Sequence, residues 1–153
     1  MRISFDIDDT LVLHQKPTAC EQSLLPVWLA RRWAEPLRAG TKKLFQKLRT
    51  EGHEIWIYTS SLRTPAYIRF WLWLHGIRVA GVVNEDIHRA KLAKIKFAST
   101  PSKYPLAFGI DLHVDDSPGV AMEGEQLGFN VLVIAQDDVQ WAETILNHIK
   151  HFR

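Results

Sequence analysis

Short apolar, β-branched segments recur along the chain, and each runs into polar or acidic residues. ISFDI at 3–7, EIWIYT at 54–59 and LHV at 112–114 are the clearest, and VAGVV at 79–83 and NVLVI at 130–134 follow the same pattern. Continuous apolar runs of this kind belong to strands covered on both faces. Between them the apolar spacing turns helical. Over 41–51, Leu44, Phe45 and Leu48 share one face, Thr41 is placed to cap, and Gly52 stands where a helix stops. Over 64–75, Thr64 and Pro65 form a cap and first-turn pair and Gly76 follows. Segments 118–127, opening at Ser117-Pro118, and 137–150, opening at Asp137, complete the set. The alternation predicts an α/β fold, a mostly parallel sheet of these five strands with helices on both faces.

Residues 11–40 break the rhythm with Pro17, Pro26, Pro36, Trp28, Trp33 and the pair Arg31-Arg32. They read as a loop or small hairpin followed by a short helix near 24–34. Helix 64–75 is unusually aromatic, with Tyr67, Phe70, Trp71 and Trp73, a spacing that suits the core and leaves room for a subunit contact. There is no internal repeat or linker, so residues 1–153 read as a single domain.

Composition narrows the class without naming a partner. At 153 residues, with 46% apolar and 24% charged positions, the chain suits one folded domain with a sizeable core. A net charge of +2 falls short of a dedicated nucleic-acid binder. Cys20 is the only cysteine, which excludes an intramolecular disulfide and favours a reducing, cytoplasmic setting. No apolar run approaches the ~18 residues of a membrane span, and Asp6 interrupts any leader.

The chemistry gathers at strand ends. Asp6, Asp8 and Asp9 follow the first strand, Thr59-Ser60-Ser61 the second major one, and Asp115-Asp116 the strand at 112–114. Ligands of open α/β sheets bind beyond the carboxyl ends of the strands, so a parallel sheet brings all three groups to one edge. Gathered carboxylates repel unless a cation neutralises them, and oxygen-only donors suit Mg²⁺, which takes one or two carboxylates and leaves the others for chemistry. One Asp can attack a phosphoester and a second can shuttle the proton. A hydroxyl, a following N–H and a lysine, with Lys103 the candidate, would hold the phosphoryl oxygens. Singly, each such Asp, Ser or Thr would be a turn former or cap, as Ser61, Thr64 and Ser117 can be; the combination carries the reading.

Asp6-Ile7-Asp8-Asp9-Thr10, the strand IWIYT ending in Thr59, a lysine, and LHV before Asp115-Asp116 together resemble the motifs of the haloacid dehalogenase-like superfamily of phosphotransferases. The resemblance spans nearly the whole chain and implies a three-layer, Rossmann-like, mostly parallel five-stranded sheet in the order 5-4-1-2-3. It implies Asp6 as nucleophile and metal ligand, and Asp8 as general acid/base, lending its backbone carbonyl to the metal. Asp115 becomes the main acidic metal ligand and Asp116 a partner through water, with Thr59, Ser60 and Lys103 as phosphate ligands. Dehalogenating members lack an acid at the position of Asp8, so the resemblance implies phosphoester chemistry. Members often place the lysine farther upstream of the acidic pair than Lys103, a spacing that Lys91 and Lys94 fit better; the Lys103-Tyr104-Pro105 turn favours Lys103.

Neither gap between motifs has room for a separate cap domain. An open site suits a large phosphorylated substrate, or an oligomer whose neighbour supplies the lid. His14, Arg63 and Arg31-Arg32 could meet a leaving group, although a solvated surface place is the default for each. Asp9 reads as a turn residue. The leading expectation is a Mg²⁺-dependent phosphatase; a non-catalytic binding module and a phosphatase for nucleic-acid ends are the alternatives.

Overall fold

A computed structural model describes residues 1–14, 19–26, 28 and 35–152. In chain order the elements are β1 (Arg2–Phe5), α1 (Thr41–Thr50), β2 (Glu54–Tyr58), α2 (Pro65–Leu74), β3 (Gly81–Val83) and α3 (Glu85–Leu92). A 3-10 turn (Pro105–Phe108), β4 (Leu112–Asp115), α4 (Pro118–Leu127), β5 (Val131–Val133) and α5 (Trp141–His151) follow. All four strand pairings are parallel, in the order β3-β2-β1-β4-β5. This is the expected order, read from the opposite edge.

Register sorts the side chains into two unlike faces. Ile3 lies beside Ile55 and Leu112, and Phe5 beside Ile57 and Val114. These six are buried in one core with Leu44, Phe45 and Leu48 of α1, Ile68, Trp71 and Leu72 of α2, and Trp141, Ile145 and Ile149 of α5. The Phe5 and Phe45 rings meet at 4.7 Å. Because strand side chains alternate, the neighbours Ser4, Trp56, Tyr58 and His113 face the other way. There Tyr58, Val83 and Ile110 form a smaller apolar cluster with Trp56 and Phe108, covered by α3, the 3-10 turn and α4. Polar residues in mid-sheet sit on this second face only.

Several boundaries move from their expected positions for local reasons. The first strand ends at Phe5, because Leu11 and Val12 both donate backbone bonds to Ile7 O and fold 7–12 into a turn. Gly40, at φ +92°, caps α1 in place of Thr41, whose hydroxyl donates back to Arg38 O at 2.6 Å. The last helix starts at Trp141 instead of 137, since the Asp138 carboxylate takes the Gln140 N–H and its carbonyl takes the Arg38 guanidinium. Helix α3 and the 3-10 turn were not expected. Asn84 caps α3 at Ile87 N, with Glu85 and Asp86 in the first turn and Arg89 and Lys91 in the last, signals that were present in the sequence. The helix expected near 24–34 falls largely on positions outside the described residues, as do Arg31, Arg32 and Trp33. In α2, Trp71 joins the core while Phe70 and Trp73 stack on each other at the surface. Among the described residues no helix is long and apolar enough to cross a membrane.

Gly81 is paired with Trp56 across β3 and β2, and a Cβ there would stand inside the Trp56 indole ring. Gly81→Ala is therefore expected to destabilise the protein by about 1–3 kcal/mol. Adding Trp56→Leu should recover part of that loss in a denaturant titration.

Candidate active site

Asp6 leaves β1 with its backbone still tied to the sheet, its N–H donating to Val114 O at 2.9 Å. The turn that follows reverses at Asp9, whose φ of +59° is the left-handed conformation that Asp and Asn tolerate best among residues with a side chain. That reversal returns Asp8 to the same edge as Asp6 and leaves Asp9 out of the cleft, its carboxylate receiving His14 N–H at 3.4 Å.

Lys103 is buried at 2% exposure and reaches across the carboxyl ends of β1, β2 and β4. Its Nζ lies 2.6 Å from Asp6 Oδ1, 2.9 Å from Tyr58 O and 3.6 Å from Asp115 Oδ2. The surrounding turn is held from two sides. Glu123 of α4 accepts from the backbone N–H and hydroxyl of Ser102. On the other side His88 Nε2 donates to Pro101 O at 3.1 Å, so its Nδ1 accepts the Tyr58 hydroxyl at 2.5 Å, and that oxygen accepts Tyr104 N–H at 2.9 Å. Burial lowers the His88 pKa and raises that of Tyr58, so both stay neutral across the physiological range.

Asp115 ends β4 and is fixed at both oxygens. Oδ1 accepts Ser117 N–H at 2.9 Å and Oδ2 accepts His113 Nε2 at 2.9 Å. The other ring nitrogen of His113 meets Ser4 Oγ at 2.8 Å, a chain wholly inside the sheet. Burial lowers the His113 pKa, so the neutral ring donates to Asp115 and accepts from Ser4. Burial opposes the Asp115 charge, but the bond from His113 and the nearby Lys103 ammonium outweigh it and hold the carboxyl at about 2. Asp6 goes the other way. Burial dominates over the opposing Lys103 contact, the charge of Asp115 adds to it, and its pKa rises to about 6. Asp116 is also raised, by burial and then by Asp115.

Asp8 has a different environment. Arg63 Nη1 and Nη2 donate to its two oxygens at 2.8 and 3.0 Å, and His14 Nε2 approaches Oδ1 at 3.1 Å. Partial burial opposes its charge, yet these bonds prevail and the carboxyl sits below its ordinary range. The solvated place expected for Arg63 is thus wrong: its side chain is 21% exposed and clamped between two carboxylates, Asp8 and Glu35. Sequence reasoning missed Glu35, His88, His113 and Ser4. Only His113, a titratable residue inside an apolar strand, gave a signal.

An open cleft of about 390 Å³ brings together Asp6, Asp8, Thr59, Ser60, Lys103, Asp115 and Asp116, joined by Ser61, Ser102, Ser117 and Val120. Thr59 is placed by its N–H bond to Val83 O and receives Ser61 N–H on its own hydroxyl, which leaves that hydroxyl proton available. Thr64 caps α2 at Tyr67 N. Lys91 and Lys94 are exposed at α3 and just beyond it, apart from the cleft. Among the described residues no three acidic, histidine or cysteine side chains close around one point as a ready-made metal cage. A larger hollow of about 490 Å³ lies between α1 and α5, away from the acids.

No family model matches the chain, and no curated protein matches it in sequence. Its backbone is similar to a solved structure described as a predicted HAD-like family hydrolase from Porphyromonas gingivalis. The TM-score is 0.50 and the identity 16%, over 97% of each chain. The two chains therefore share a fold, here a parallel five-stranded α/β sheet in the strand order expected above.

His88 gives a pH test of how the Lys103 turn is held. Its folded pKa lies below the ordinary 6.5, so the unfolded chain binds the proton more readily and stability falls as pH drops below 6.5. Chemical denaturation between pH 7.5 and 5 should show this slope, and His88→Gln should flatten it.

Proposed function

We propose that the chain is a Mg²⁺-dependent phosphatase that hydrolyses a phosphomonoester through an aspartyl phosphate on Asp6. The observation that carries this reading is the division of labour inside one cleft. Asp6 is buried against Lys103, Asp8 stands two residues on with its own cationic partner, and the Thr59-Ser60 hydroxyls face the same space.

The donor set fits a hard divalent cation. Only oxygen ligands converge, and the pKa of Asp6 is raised first by burial, which the Lys103 contact opposes without cancelling, so a further positive charge beside Asp6 would favour its ionised form. Asp6, Asp115 and the Asp8 carbonyl would hold Mg²⁺, with Asp116 acting through water. Bound there, the ion supplies positive charge against the phosphoryl oxygens.

The protein's own groups account for the bond changes. Lys103 takes Asp6 Oδ1 and leaves Oδ2 to attack phosphorus, so a carboxylate–phosphorus bond forms as the bond to the leaving oxygen breaks. Asp8, once it has turned from Arg63 and taken up a proton from solvent, gives that proton to the leaving oxygen. A water then attacks the aspartyl phosphate while Asp8 recovers a proton from it, which releases inorganic phosphate and restores Asp6. The Thr59 hydroxyl, the Ser60 N–H and the Lys103 ammonium bind the phosphoryl oxygens throughout. The open cleft suits a substrate larger than a simple metabolite, or a second copy as lid, and the reading places the protein in the cytoplasm.

Turnover of p-nitrophenyl phosphate with Mg²⁺ is the direct assay. EDTA should abolish it, Asp6→Asn should lower kcat/KM by about 10⁴ or more, and Asp8→Asn by about 10²–10⁴. Turnover that survives EDTA or Asp6→Asn overturns the reading. Loss of activity in Asp6→Asn must not come from unfolding. The folded pKa of about 6 exceeds the ordinary 3.8, so folding favours the uncharged form that Asn mimics. In EDTA the variant should gain up to about 3 kcal/mol above pH 6, and the gain should vanish below pH 3.8.

A further inference from the structure

We propose that Arg63 binds a second anion on the leaving half of the substrate, so that favoured esters carry a carboxylate or phosphodiester near the scissile oxygen. The inference rests on the phosphatase reading above and names its substrate class.

The guanidinium has one edge fixed by Glu35 and another held by Asp8, which lines the cleft. On the fixed side Nε and Nη2 donate to Glu35 Oε1 and Oε2 at 2.9 and 2.6 Å. Glu35 is itself anchored to α2, its carboxylate by the Tyr67 hydroxyl at 3.0 Å and its carbonyl by Trp71 Nε1 at 2.8 Å. The Arg63 carbonyl receives Asn84 Nδ2 at 3.2 Å. On the other side Nη1 donates to Asp8 Oδ2 and Nη2, besides its bond to Glu35, to Asp8 Oδ1, Asp8 being the partner on that side among the described residues. Of the three side chains Asp8 is the most exposed, at 38% against 21% for Arg63 and 27% for Glu35. Asp8 is therefore the member that can leave, and Arg63 the one that stays.

It also has to leave. Both Asp8 oxygens are committed, Oδ1 to Arg63 and His14 and Oδ2 to Arg63, and a proton donor must turn an oxygen toward the leaving group. Opening the pair uncovers two parallel N–H donors on a half-buried, permanent cation, on the side where the leaving group departs. A bare cation there is costly. A planar, two-oxygen anion on the leaving group replaces the lost bonds in the same bidentate geometry, so binding that anion and freeing Asp8 are one exchange. A neutral alcohol cannot make it.

Two matched pairs test this with the full chain and Mg²⁺. They are 3-phosphoglycerate against glycerol 3-phosphate, and 3′-phosphorylated dithymidylate against thymidine 3′-phosphate. In the wild type kcat/KM should favour the anion-bearing member of at least one pair by about tenfold or more, and the pair that shows it separates a small acid from a nucleic-acid end. In Arg63→Met that ratio should fall to within about twofold of unity, whatever the absolute rates. Should Arg63→Met fail to fold, Arg63→Lys carries the test, since it keeps the charge but loses the fork, and the ratio must fall at least about threefold. Turnover with no preference in either pair, or a preference intact in the Arg63 variant, removes this inference and leaves the phosphatase reading standing. No turnover of any ester, p-nitrophenyl phosphate included, removes both.

Discussion

A single buried ammonium organises the acidic edge of this fold. Lys103 lies 2.6 Å from Asp6, 2.9 Å from the Tyr58 carbonyl and 3.6 Å from Asp115, and so ties the ends of β1, β2 and β4 at one point. Removing Lys103 would leave the buried Asp6 and Asp115 carboxylates without compensation, a loss of about 3–5 kcal/mol. The same contact that gathers the site therefore makes the sheet edge depend on it. The arrangement is not made for stability: the raised pKa of Asp6 records a carboxylate held charged against its surroundings, as expected where function sets the local chemistry.

The unlike faces of the sheet follow from this demand. One face is filled by Ile3, Phe5, Ile55, Ile57, Leu112 and Val114 and carries most of the apolar burial. The other gives up mid-sheet positions to Ser4 and His113, and its Tyr58 leads to His88. Each of these polar groups is satisfied, and each chain ends at a residue of the cleft: Ser4 and His113 at Asp115, His88 and Tyr58 at the turn of Lys103. Partly satisfied polar groups would cost more than the apolar residues they replace, so networks of this kind persist when complete and when they position something.

How much of this could be read from the sequence depended on range. Strand ends and their acids were legible because β1, β2 and β4 are written as apolar runs that stop at Asp6, Thr59 and Asp115, and a parallel sheet must bring such ends together. Thr64-Pro65 and Gly76 fixed α2 because capping is local chemistry. The failures needed contacts between distant parts of the chain. Thr41 reads as a cap, yet Gly40 takes that place and the Thr41 hydroxyl turns back to Arg38. Asp137 reads as a helix start, yet Arg38 draws in the carbonyls of Ala135, Gln136 and Asp138 and delays α5. Arg63 reads as a surface cation, because nothing local says that Glu35, 28 positions earlier, stands beside it. Helix α3 is different: its signals are local, with Asn84 as cap, Glu85 and Asp86 in the first turn and Arg89 and Lys91 in the last, directly after the strand at 79–83.

Asp6 and Asp8 are two residues apart and chemically alike, and the fold separates them by what it sets beside each. Asp6 is nearly enclosed and shares one oxygen with a buried lysine, so its other oxygen keeps a defined direction and little water around it. Asp8 is half-exposed and held by an arginine whose own anchor lies on α2, outside the strand ends. A group that attacks needs fixed aim and poor solvation, whereas a group that gives and recovers a proton needs access to water and room to turn. On the proposed mechanism, exchanging the two environments would leave a mobile nucleophile and an immobile proton carrier. The left-handed turn at Asp9, just after Asp8, keeps the two environments apart: it turns the chain so that, among the described residues, Arg63 and His14 hold the Asp8 carboxylate while Lys103 holds that of Asp6.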